Sequence, residues 1–140
     1  MPAEAIFGPF LGMLMLTFAV WLLMYIRRIG FIRANKIDAQ DLTTPVRRDA
    51  LIPEPVSYPA YNLQNLFELP VVFYAVCIYL YVLQQVDAVH VYSAWGFFCG
   101  RVVHSVIHCT SNIVMLRFAA YALSAIALWF MVVRASLAYF

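Results

Sequence analysis

AIFGPFLGMLMLTFAVWLLMYI, residues 5–26, holds no charged side chain. A helix needs about 20 predominantly apolar residues to cross the hydrocarbon core of a bilayer, so this stretch decides the solvent in which the chain folds. It is too long for the apolar part of a cleavable leader, no basic segment precedes it, and it follows acidic Glu4. It therefore reads as a retained span. Composition agrees. Apolar residues make up 65% of the chain and charged residues 11%, against about 45–50% and about 25% in soluble domains. A soluble domain of 140 residues this apolar has too little polar surface to cover itself. Lipid removes that problem by solvating the outward face.

Three further apolar runs follow, so the expected helices cover about 5–27, 61–84, 89–110 and 115–138. Gln84-Gln85-Val86-Asp87 and Thr110-Ser111-Asn112 are short polar turns, and short turns make consecutive helices antiparallel neighbours. The expectation is a single-domain, all-α membrane protein: a four-transmembrane-helix antiparallel bundle. The connection at about 28–60 differs from the turns. Arg27, Arg28, Arg33, Lys36, Arg47 and Arg48 lie in or beside it, as do Pro45, Pro53, Pro55 and Pro59. The prolines predict extended backbone in its second half. The basic residues predict a cytoplasmic loop, which puts both termini outside. Arg134 is the exception on the outer side. A compact chain without targeting tails suits a bacterial inner membrane. The net charge of +2 sits beside the membrane, so it favours anionic head groups and gives no reason to invoke nucleic acid.

Ionisable residues inside spans are expensive, and they mark function or pairing. The second span carries Tyr61, Asn65 and Glu68 at spacings of four and three, one helical face. Pro70 predicts a kink just beyond Glu68. The third span carries Arg101, His104 and His108 on one face, and Arg117 opens the fourth. A buried Glu68–Arg101 ion pair is the simplest expectation. Taken with Asn65, His104, His108 and Arg117, the cluster reads as a cavity for a polar, anionic ligand near the cytoplasmic side. His104 and His108 have the four-residue spacing of metal ligands, with Glu68 as a possible third. Arg101 one turn away opposes a dication, so no metal is assigned. Cys77, Cys99 and Cys109 have no redox or metal spacing and read as small buried apolar residues. A carrier is disfavoured, since no inverted repeat or second broken helix is visible.

Asn65-x-x-Glu68-x-Pro70, then Gly100-Arg101-Val102-Val103-His104-Ser105, with Arg117 beyond, resembles the MAPEG family, membrane-associated proteins of eicosanoid and glutathione metabolism. The resemblance covers nearly the whole chain. It implies a homotrimer in the lipid bilayer with glutathione bound between subunits as cosubstrate, beside a groove for a small lipophilic substrate. Carried over by position, Asn65, Glu68, Arg101 and His104 would hold glutathione, and Arg117 would stabilise its thiolate. The sequence departs from the family in two places. His108 stands where a tyrosine is usual; a histidine there donates a hydrogen bond or accepts a proton. Tyr61, Asn62, Leu63 and Gln64 occupy a stretch that usually holds an arginine, a role open to Arg27, Arg28 or Arg33. The resulting expectation is a glutathione-dependent transferase or peroxidase for lipophilic electrophiles. The alternative is a non-catalytic membrane protein on the same scaffold that binds a small anion, a lipid or a partner protein.

Overall fold

A computed structural model of the chain describes residues 2–140. After a 3-10 turn at Ala3–Ile6, helix α1 runs Phe7–Ala34. A second 3-10 turn, Ala39–Leu42, leads to α2 (Pro45–Leu51) and α3 (Glu54–Leu66). Helices α4 (Leu69–Val82), α5 (Ala88–Cys109) and α6 (Val114–Tyr139) complete the chain. α3 and α4 together form the second leg of a four-legged bundle. Three legs, Ala3–Ala34, Glu54–Val82 and Val114–Tyr139, are long and apolar enough to cross a membrane. α5, at 22 residues, has the length. Its inner stripe of His90, Arg101, His104, Ser105 and His108 lowers its hydropathy.

The connection after α1 differs from the expectation of extended chain. Pro45 starts α2, where its missing N–H is no loss, and the Thr44 hydroxyl accepts from the Arg47 amide at 3.3 Å. The second leg begins at Glu54 rather than Tyr61, with Pro55 in its first turn and Pro59 inside it. Pro59 cannot donate to the Pro55 carbonyl, and Arg27 Nη1 donates there instead, at 3.4 Å. The same Nη1 donates to the Cys109 carbonyl at 2.8 Å. Arg27 thus ties the end of α1 to the start of α3 and the end of α5.

The kink near Pro70 is a full break. Glu68 leaves the helical region (φ −97°, ψ −103°), and Pro70 sits in the first turn of α4. Asp87 caps the start of α5, its carboxylate accepting the His90 amide at 3.0 Å.

Small residues set the distances between legs. α5 and α6 make the most extensive helix contact. Gly96 and Gly100 form a Gly-x-x-x-Gly face on α5, and a Cβ at Gly100 would come within 2.8 Å of Ser124 Cβ. This is the close-approach device of membrane helices. α1 uses the same spacing: Gly8 and Gly12 seat the Trp95 and Phe98 rings, to which added Cβ atoms would be 3.1 and 2.9 Å away. Between α4 and α5, Phe73 stacks on Phe97 at 4.6 Å, beside fully buried Met13, Leu80, Leu128 and Met131. The outer surface is apolar, with Leu11, Met15, Phe18, Ile26, Leu123 and Ile126 all exposed. Cys77 and Cys109 are buried as expected, but Cys99 is exposed on this outer face.

Candidate functional site

The α3–α4 break, the last turns of α5 and the first turns of α6 meet at the end of the bundle that carries the basic connection. Between them lies a cavity of about 300 Å³ lined by Asn65, Glu68, His104, Val114, Arg117, Phe118 and Tyr121. Larger hollows lie between α4 and α6 (about 610 Å³), mostly apolar but with Tyr79, Ser136 and Tyr139 in the lining, and along the outer face of α6 (about 590 Å³), almost wholly apolar. The α6 hollow shares Phe118 and Tyr121 with the polar cavity. A polar chamber therefore adjoins a membrane-facing apolar groove.

Of the residues singled out in sequence, Asn65, Glu68, His104 and Arg117 line the cavity. Arg101 and His108 are buried behind it. The expected Glu68–Arg101 ion pair does not form among the described residues. Arg101 Nη2 instead donates to the Asn65 carbonyl at 3.1 Å. The break at Phe67–Glu68 explains the change: Glu68 leaves the stripe it would share with Asn65 in an unbroken helix, and it is exposed. The break also ends α3 early, and terminal carbonyls of a helix lack intrahelical donors and carry the negative end of the dipole. A guanidinium there acts as a cap.

His104 Nδ1 lies 3.0 Å from the Arg117 carbonyl. A carbonyl only accepts, so Nδ1 carries the proton and Nε2 keeps its lone pair. Nε2 is buried without a partner, as are Arg101 Nε and Nη1 and His108 Nδ1. Buried polar atoms are normally satisfied, so this cluster has spare hydrogen-bonding capacity. His108 meets His104 edge to face at 5.4 Å. Among the described residues, no three His, Cys, Asp or Glu side chains group to hold a metal.

A family model described as the MAPEG family matches residues 6–137. The chain belongs to the MAPEG family. No curated protein and no solved structure matches it. It is accordingly an integral membrane protein of that family.

Three polar residues of this MAPEG chain escaped the sequence reading. Tyr121 lines the cavity, with Arg101 Cζ 5.4 Å from its ring centre. It stands four residues after Arg117, a same-face spacing visible in sequence. Asn112 accepts from Arg117 Nη1 through Oδ1, although its place in a turn suggested only a spacer. Asn62 is fully buried; it receives the Ser105 hydroxyl at 3.4 Å and donates to Cys109 Sγ at 3.5 Å. Its place inside the expected second span, three residues before Asn65, was the signal that could have found it. Arg27, a candidate to replace the family's missing arginine, is engaged by backbone carbonyls away from the cavity.

Proposed function

We propose that this MAPEG protein is a glutathione-dependent transferase or peroxidase acting on lipophilic electrophiles. The observation that carries the reading is the convergence of the Arg117 guanidinium, an oriented His104 and the polar groups of Asn65 and Glu68 on one cavity beside an apolar groove. In this reading Glu68 takes the amino end of the tripeptide and Asn65 its amide backbone. Arg117 faces the sulfur. A free thiol titrates near about 8.5, and an adjacent cation favours the thiolate, the nucleophilic form. The thiol proton leaves to water through the open side of the cavity, while His104 Nδ1 holds the Arg117 carbonyl and so fixes the start of α6. His108, packed edge-on behind His104, supports the ring, and Arg101 holds Asn65 in place. The sulfur then attacks the electrophile in the α6 groove, and the new bond to sulfur forms as the leaving group departs with its electron pair. Holding both partners in one chamber supplies the proximity advantage. The exposure of Glu68 and the open side of the cavity fit completion by a neighbouring subunit, and the assembly in this reading is a homotrimer. The basic end faces the cytoplasm, where glutathione is plentiful, and both termini face away.

The test is addition of millimolar glutathione to the detergent-purified protein. We expect a higher melting temperature together with ultraviolet thiolate absorbance. A ligand at a hundredfold over its Kd stabilises by about 2.7 kcal/mol, well within reach of a thermal melt. Absence of both signals would reject the reading. A raised melting temperature without thiolate absorbance would favour the non-catalytic binder.

A further inference from the structure

The turn between α5 and α6 does more than reverse the chain. Asn112 adopts a left-handed backbone, φ 50°, a conformation that among residues with a side chain favours asparagine and aspartate. Its amide donates to the Ile107 carbonyl at 2.7 Å, which closes the turn and fixes the residue. From that position its Oδ1 accepts from Arg117 Nη1. The other end of Arg117 is also held, since its carbonyl takes the His104 Nδ1 proton at 3.0 Å. The arginine facing the cavity is thus anchored at backbone and head group. Glycine would satisfy the turn at lower conformational cost but would release the guanidinium. Aspartate would satisfy the turn and hold the guanidinium more tightly, but it would neutralise it. Asparagine alone of the three fixes direction and leaves the charge uncompensated. No carboxylate stands within ion-pair distance of Arg117 among the described residues.

We infer that Asn112 is a positioning residue: it aims the Arg117 guanidinium into the cavity through a neutral acceptor, so that the full positive charge acts on an anion bound there. Under the preceding reading, on which this inference rests, that anion is the glutathione sulfur.

The experiment compares wild type, Asn112→Gly and Asn112→Asp. Both variants keep the left-handed turn accessible, and thermal melts verify that each is folded. Three probes are titrated: glutathione, S-methylglutathione, which has no ionisable sulfur, and glutathione sulfonate, which carries a fixed negative charge there. Wild type should prefer the sulfonate to the S-methyl form. Both variants should lose about tenfold of sulfonate affinity and of thiolate population at neutral pH, while S-methylglutathione affinity changes less than about threefold; a tenfold loss corresponds to one unit in the thiol titration of the complex. Asn112→Asp should melt no lower than wild type, because it retains the contact while cancelling the charge. Wild-type behaviour in Asn112→Gly overturns the positioning role, and wild-type behaviour in Asn112→Asp overturns the requirement for a neutral acceptor. Equal wild-type affinity for the sulfonate and S-methyl probes overturns the delivery of charge to sulfur. If no probe binds wild type, the glutathione reading itself falls and this inference with it. Binding without discrimination among the three proteins sinks the inference alone.

Discussion

Arg101 and Glu68 show how one backbone break reassigns two side chains. A continuous helix would have paired them; the interruption at Phe67–Glu68 gives Arg101 the end of α3 to cap and leaves Glu68 open to the cavity. Glu68→Gln should therefore melt within about 0.5 kcal/mol of wild type, as exposed substitutions do, yet bind glutathione more weakly. A large drop in thermal stability in detergent would restore the ion pair. Arg117→Ala should lower thiolate absorbance at neutral pH by about tenfold, the change expected when a cation beside a thiol is removed. If the protein forms the proposed homotrimer, that assembly should persist, because the Arg117 side chain bonds within its own turn. Unchanged turnover in this variant would remove the arginine from the mechanism.

Helix pairs obey a different constraint, set by how closely backbones approach. Gly100→Val puts a branched side chain where a single Cβ already meets Ser124 at 2.8 Å. The legs must separate, and a loss of about 1–3 kcal/mol is expected from overpacking. Ser124→Gly added to it should recover part of the loss, a coupling that a double-mutant cycle in detergent melts would measure. At the opposite end of the same pair, Arg134 donates to the Asp87 carboxylate through Nη1, at 2.8 Å, and Nη2, with His90 beside them. This resolves the isolated arginine on the non-basic side: it pins the end of α6 to the start of α5. The hydrogen bond from Arg134 holds the Asp87 carboxyl well below the usual carboxylate range. The unfolded chain thus binds the proton more readily than the folded one. The clamp contributes fully above the unfolded value of about 4 and fades as pH falls below it. The pair is nearly half exposed, so its worth is at most about 1 kcal/mol. Asp87→Asn should melt slightly below wild type at pH 7, and the gap should narrow progressively as pH falls below about 4 toward the depressed folded-state value; a gap that stays the same from pH 7 down to about pH 2 would contradict the clamp.

For the molecule as a whole, the ordinary relation of core to surface is reversed. Much of the large apolar surface faces outward, and the ionisable groups of α5 face in. In lipid this arrangement costs nothing on the outside, since hydrocarbon replaces the packing that water would demand. The polar interior then needs mutual hydrogen bonds or a ligand, and the unpartnered atoms of Arg101, His104 and His108 leave that need unmet within one chain. A homotrimer that closes the site should appear as a three-subunit mass in native mass spectrometry from detergent. A purely monomeric protein that still turns over glutathione would show that one chain suffices.

The sequence by itself determined the solvent, the three legs apolar enough to cross a membrane and the residues that bring the family likeness, because hydrophobic runs and helical spacing are local properties that lipid rewards directly. It also singled out Asn65, Glu68, His104 and Arg117, which share the cavity, since charge inside an apolar span is conspicuous wherever it falls. What it could not supply was partnership. Whether Arg101 meets a carboxylate or a helix end depends on where α3 stops. Whether proline breaks the connection or starts a helix depends on its place in the turn, and Pro45 and Pro55 fall in the first turns of α2 and α3. Asn62, Asn112 and Tyr121 gain their places only when separate helices converge, because a polar side chain in a turn or span does not reveal locally what will lie opposite it. The opening stretch at residues 5–26 placed the chain in a membrane; the break at Glu68 and the turn at Asn112 decided which of its charges face the cavity.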